Sequence, residues 1–131
     1  MPYMEGTRGL KSYKGEYDFA VDGGAISTIV LRSEDGPIPS GSVILGGYLE
    51  IDTGFTTGTA AVAGLQVEAA NDIVASTIVS GAPYSSTGRK SIIPVFTGAT
   101  TVKTTASRAP AMVVATGTIT AGKGRLVLIY R

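Results

Sequence analysis

The sequence predicts an all-β protein: a single β-sandwich, jelly-roll-like, of about eight short antiparallel strands behind an extended N-terminal arm. Three observations carry this. Sixty of the 131 residues are Gly, Ala, Ser or Thr, and glycine alone contributes 18. Apolar residues recur with period two or in short β-branched runs, not with the period of a helix. Gly and Pro clusters punctuate the chain about every ten residues, the spacing of a sandwich or barrel and not of alternating strands and helices. A chain of this length makes one domain that buries about two-thirds of its unfolded surface, so its core needs no disulfide or metal.

Residues 1–12 have little periodicity and contain Gly6, Gly9, Lys11 and Ser12, which predicts an extended arm, with the sandwich domain over 13–131. From Tyr13 the pattern becomes period two. Tyr13, Tyr17, Phe19 and Val21 share one parity and Lys14, Glu16, Asp18 and Asp22 the other, which predicts a strand with one wet face. Asp22-Gly23-Gly24 then reads as the tight turn of a hairpin into the β-branched run Ala25–Leu31. Glu34–Gly41 holds two prolines and two glycines and is turn throughout.

A third strand is expected over Ser42–Thr53, bulged at Gly46-Gly47, and a further apolar stretch over Ala60–Glu68. Ala69–Ser76 is the one plausible helical turn, with Asn71 or Asp72 as its cap. Ser80–Arg89 reads as a long polar loop, Ile92–Phe96 as a short strand demoted to an edge by Pro94, and Thr100–Thr105 as another short strand. Met112–Thr120 is expected to pair through Ala121–Gly124 with Arg125–Tyr130, whose apolar run should be tied into the sheet.

Composition excludes most catalytic chemistry. The chain has no His and no Cys, hence no imidazole base, thiolate, His or Cys metal site, or disulfide. No catalytic, cofactor or metal site is assigned. Gly117-x4-Gly122-Lys123 matches part of a phosphate-binding loop, but Gly124 stands where the hydroxyl should be and no helix follows, so a turn is the better reading. Glu50 and Asp52 share one side of a strand and read as acids on a wet face rather than a glycosidase pair. Asp18 with Asp22, and Glu34 with Asp35, lack the oxygen-rich run a Ca²⁺ site needs. Ser85-Ser86-Thr87 beside Lys90 is no dyad on proximity alone.

Charge is unevenly placed. All ten acids lie at or before Asp72, where only four cations accompany them, giving −6; residues 73–131 hold seven cations and no acid, giving +7. This pattern admits strand partners that neutralise each other within one sandwich, or opposite-sign faces that meet between subunits. Specific nucleic-acid binding is not expected, because the cations are dispersed and no aromatic-rich basic stripe accompanies them. No apolar run approaches 18 residues and the N-terminus lacks a signal-peptide pattern, so neither membrane insertion nor export by that route is expected. The candidate partner-binding residues are Tyr3, Arg8 and Lys11 on the arm, and Tyr84, Arg89 and Lys90 in the polar loop.

The stretches Tyr17–Ala25, Pro37–Gly41, Val67–Asp72 and Gly88–Pro94 resemble small β-rich auxiliary virion proteins of tailed bacteriophages, of the capsid decoration or head-fibre kind. The likeness runs from about residue 13 to 130 and is one of turn pattern, without a diagnostic motif. It implies a non-enzymatic virion structural protein, made in the host cytoplasm and placed on the capsid surface. Its partners would be the major capsid protein lattice and copies of itself, with trimers favoured. The alternative is a subunit of the phage tail tube or tip, or a host-adhesion module that binds carbohydrate. No cofactor is implied.

Overall fold

The computed structural model describes residues 9–92 and 102–131. Eight strands are formed among them: β1 (Lys11–Asp18), β2 (Ser27–Val30), β3 (Ile44–Thr57), β4 (Val62–Gln66), β5 (Val74–Ile78), β6 (Gly88–Ile92), β7 (Ala111–Ala115) and β8 (Ile119–Tyr130). One short helix, α1 (Phe19–Asp22), follows β1. The strands make two four-stranded antiparallel sheets, ordered β1-β8-β3-β6 and β2-β7-β4-β5.

The pairs β1·β8, β2·β7, β3·β6 and β4·β5 join strands counted inward from the two ends of the fold. The topology is thus one long ribbon of strand pairs folded over on itself, and β3·β8 and β4·β7 stitch its successive turns together. This is the jelly-roll-like sandwich that the strand count and turn spacing predict.

The core lies between the sheets. Along β8 the even-numbered positions from Gly122 to Tyr130 are buried and the odd ones are not, the alternation of a strand with one face inward. Tyr13, Tyr17, Leu49, Ile51, Leu126 and Leu128 from the first sheet meet Ala63, Leu65, Met112 and Val114 from the second. Tyr17, Phe55 and Tyr84 form an aromatic chain through this layer, with ring centroids 5.4 and 5.3 Å apart. Gly122, at φ +151°, passes directly beneath Phe55, where an added Cβ would sit 2.6 Å from the ring.

Several expected elements take another form. Tyr13 and Tyr17 are buried as their parity predicts, but Phe19 and Val21 lie in α1, and Val21 is 65% exposed. Two acids break the strand: Asp18 accepts the Ala20 N–H at 3.0 Å and donates its own N–H to the Asp22 carboxylate at 2.9 Å, closing a turn. The hairpin expected at Asp22-Gly23-Gly24 does not form, because β1 and β2 belong to opposite sheets; β1 instead makes an isolated bridge from Glu16 to Arg32, two residues beyond β2.

The C-terminal hairpin is also corrected. β7 and β8 belong to opposite sheets and do not pair; the chain crosses between them at Thr116-Gly117-Thr118, and β8 runs unbroken through Ala121–Gly124, the expected turn. Gly122 and Gly124 fit this stretch because β8 there passes beneath Phe55 and close to the backbone of Glu50.

The expected helical turn at Ala69–Ser76 is a carboxylate-centred turn instead. Asp72 accepts the backbone N–H groups of Val67, Glu68 and Ala69 at 2.8, 3.0 and 2.8 Å, and Asn71 sits at φ +57°, which a right-handed helix cannot use. The bulge expected at Gly46-Gly47 is present as a register shift between Ile44 and Gly46 opposite β8. Of the expected strand Ile92–Phe96, only Ile92, the end of β6, is among the described residues. The expected strand over Thr100–Thr105 is reduced, from Val102 onward, to a single bridge between Lys103 and Val43. Lys11 and Ser12, expected in the arm, begin β1 and pair with Tyr130 and Ile129. Residues 1–8 lie outside the described residues.

Candidate functional site

The two sheets present outer faces of opposite chemistry. In the first sheet, strand register aligns Glu16 with Arg125, Arg125 with Glu50, and Glu50 with Arg89, so charges of alternating sign cross all four strands in one row. Arg125 donates to Glu50 at 2.7 Å and to Asp52 at 3.0 Å, which raises the guanidinium pKa still further, chiefly through the Glu50 bond. Arg89 reaches Glu50 at 3.5 Å and lies 5.0 Å from the centroid of the Tyr48 ring. Glu50 and Asp52 are therefore acids spent on arginines, not a catalytic pair.

A second charged knot closes one end of the sandwich. Glu68 accepts two bonds from Arg108, at 2.8 and 3.2 Å, and two more from the backbone and hydroxyl of Thr105, at 3.0 and 2.7 Å. The Arg108 and Thr105 bonds hold its carboxyl well below the usual range, at about 2. Arg32 meets Asp22 at 3.0 Å. Arg89, Arg108 and Arg125, all from the basic part of the sequence, thus pair with Glu50, Asp52 and Glu68 from the acidic part. These pairs show strand partners neutralising each other within one sandwich, and they leave correspondingly less charge for faces that would meet between subunits.

The second sheet is different in kind: β2, β4, β5 and β7 contain no Asp, Glu, Lys or Arg at any position. Its outer face carries Thr28 and Val30, Val62 and Gln66, Val113, and Ile78, and both Val30 and Ile78 remain substantially exposed, at 56% and 43%. Ile26, just before β2 and on the same parity as Val30, is 57% exposed. An uncharged apolar sheet face of this kind marks an interaction surface.

Three of the expected partner-binding residues change role. Tyr84 is 1% exposed, so the ring that the Pro/Ser loop seemed to display is part of the core; its hydroxyl donates to the Ala63 carbonyl at 3.3 Å, and burial raises its pKa. The loop folds inward because the sandwich needs a large side chain to close its end beside Phe55. Arg89 and Lys90 lie on β6 rather than in a loop. Arg89 is exposed but engaged as above, and half-buried Lys90 donates to the Ser86 carbonyl, not to a hydroxyl. Lys11 is exposed on β1, at the opposite edge of that sheet, so it and Arg89 do not converge. Tyr3 and Arg8 lie outside the described residues.

Two gaps are lined by the described residues. A polar cleft of about 370 Å³ lies between β1 and the turn after β2, lined by Lys14, Glu16, Arg32, Ser33, Glu34 and Asp35. Asp35 already accepts the Lys14 N–H at 2.8 Å. An interior gap of about 20 Å³ between the sheets has room for at most a water. Among the described residues no group of three or more acids, His or Cys is placed to hold a metal ion, and no helix is long and apolar enough to cross a membrane.

The sequence reading missed the charge-free sheet. Its signal was available as four β-branched or small-residue segments without a charge, but it becomes a surface only when β2, β4, β5 and β7 are known to be neighbours.

No protein-family model matches the chain, and no curated protein matches it. Solved structures do. A chain in the acid-stable capsid structure of Helicobacter pylori bacteriophage KHP30 superposes with a TM-score of 0.60 at 15% identity, covering 93% of this chain and 86% of that one. A chain in the capsid asymmetric unit of cyanophage Pam1 superposes with a TM-score of 0.54 at 20% identity, covering 92% of this chain and 83% of that one. The sandwich, over nearly its whole length, has the fold of chains found in two bacteriophage capsids.

Proposed function

We propose that this chain is a non-enzymatic structural subunit of a bacteriophage virion, which decorates or stabilises the capsid by binding the lattice of the major capsid protein. The observation that carries this reading is the fold shared with chains of two phage capsid structures over 92% or more of its length. The chemistry agrees with it: Glu50, Asp52, Arg89 and Arg125 of the first sheet are engaged with one another, and the second sheet offers an uncharged face suited to packing against protein. The arm is the docking element in this reading, with Tyr3 and Arg8 on it and Lys11 next to it at the start of β1, and the chain acts in many copies, grouped as trimers on the capsid surface.

Gradient-purified particles analysed by mass spectrometry test the reading. The chain is expected at a copy number comparable to that of the major capsid protein. A few copies per particle would move it to the tail or a vertex, and absence would overturn the virion assignment. Deleting residues 1–8 leaves every described strand intact, so the truncated chain is expected to fold but not to join particles; retained association would remove the docking role from the arm. The host-adhesion alternative loses its main support with Tyr84 buried in the core.

A further inference from the structure

The open edge of the charge-free sheet is built to pair with itself. Among the described residues the strand β2 hydrogen-bonds only β7; its other edge is free from Ile26 to Val30, and β1 meets it only beyond the strand, where Arg32 exchanges backbone bonds with Glu16. Leu31 donates to the Pro110 carbonyl at 3.1 Å, so by antiparallel alternation Ile29 and Ser27 also bond toward β7, while the N–H and C=O groups of Thr28 and Val30 point outward. Proteins usually guard such edges with charge, proline or bulges. The first sheet does so, with Lys11, Lys14, Glu16 and Asp18 on one edge strand and Arg89 and Lys90 on the other. The β2 edge has none of these: no charged residue occurs from Gly23 to Leu31, and its pairing with β7 is regular.

We infer that β2 pairs antiparallel with β2 of a second copy of this chain about a twofold axis at Thr28, joining two charge-free sheets into one of eight strands. The pattern Ile26-Ser27-Thr28-Ile29-Val30 complements itself in that register. Thr28 lies opposite the second copy's Thr28 with its outward N–H and C=O groups paired, and Ile26 and Val30, exposed at 57% and 56%, lie opposite each other on the same face. Because neither strand carries a charge, nothing in it repels the copy. The contact is small beside the roughly 800 Å² per partner of a stable interface, so it forms at high protein concentration, as on a surface already crowded with copies. It adds a twofold contact to the trimer grouping proposed above and is measured on the isolated chain, so its failure leaves the virion reading standing, and the reverse.

Sedimentation of the full chain up to about 1 mM tests this. A concentration-dependent species is expected that persists in high salt, and whose mass halves in Thr28→Pro, to 13.4 kDa if the chain has no other self-contact. That proline removes an N–H facing the open edge and no bond to β7. Ile26→Lys and Val30→Glu, each alone, are expected to weaken association about tenfold, and the two combined in one chain to restore it, because Lys and Glu then face each other across the axis. A chain that stays at one mass at all concentrations, an assembly indifferent to Thr28→Pro, or a combined variant no better than either single one would overturn the proposal. Circular dichroism confirms that each variant is folded before it is scored.

Discussion

At the scale of single residues, the side chains that look exposed in the sequence and are not have the largest effects. Tyr84 sits in a loop of Gly, Pro and Ser, yet it is as buried as any leucine of the core. Tyr84→Phe removes only the hydroxyl bond to Ala63 and is expected to cost about 1 kcal/mol, whereas Tyr84→Ala empties the end of the sandwich and is expected to cost about 3–5 kcal/mol. Chemical denaturation measures both; equal and negligible losses would return Tyr84 to the surface. Glu68 gives a pH dependence of definite sign. Its carboxyl is depressed from an ordinary 4.5 to about 2 in the folded chain. The stabilisation it provides is therefore complete above about pH 5 and is lost as the pH falls toward 2. Glu68→Gln is expected to lower stability at neutral pH and to flatten its fall between about pH 5 and 2, read from Tm across that range. Tyr17 works in the opposite direction: burial first, then Asp22 and Asp18, push its hydroxyl up to about 12, so its contribution persists at neutral pH and fades as the pH rises from about 10 through 12.

At the scale of elements, strands were legible and partnerships were not. The parity of Tyr13 and Tyr17 and the bulge at Gly46-Gly47 are local facts that survive into the fold, whereas Glu34–Gly41, turn throughout by its local chemistry, is interrupted by buried Ile38, which bridges Arg108. Two hairpins were read from Asp22-Gly23-Gly24 and from Ala121–Gly124 because neighbouring strands most often pair. A jelly-roll-like ribbon pairs strands from its far ends instead, so a glycine-rich stretch that looks like a turn becomes, in β8, the place where a strand must pass close beneath an aromatic ring. The same logic hid the charge-free face: each of its four strands is unremarkable alone. β8 is the element on which most depends, since it lies between β1 and β3 and supplies Leu126, Leu128 and Tyr130 to the core. Removing residues 126–131 is expected to abolish the folded state outright, with loss of the strand signal in circular dichroism. A truncated chain that still unfolds cooperatively would mean that the second sheet stands alone.

At the scale of the whole molecule, the uneven charge of the sequence becomes internal bookkeeping. An acidic first part and a basic second part must cross over to neutralise each other, and the strand order makes them do so: β8 and β6 bring Arg125 and Arg89 to Glu50, and Arg108 returns to Glu68. The net charge of +1 thus conceals a molecule with one sheet crossed by charged side chains and another whose strands carry none. The candidate site was only partly legible for the same reason. Arg89 and Lys90 were visible as cations, but their engagement with Glu50, Tyr48 and Ser86 depends on a register that no local pattern encodes.

The place of β8 also bears on how the chain is made. It is the last of the eight strands to leave the ribosome, yet it sits inside its sheet and separates β1 from β3. Until it emerges, β1 has no strand to join and β3 has only the short β6, so the first sheet cannot close during synthesis. The second sheet, whose four uncharged strands all precede β8, has no closed sheet to cover its inner face for that same interval, when each nascent copy on a shared message lies nearest to its neighbours.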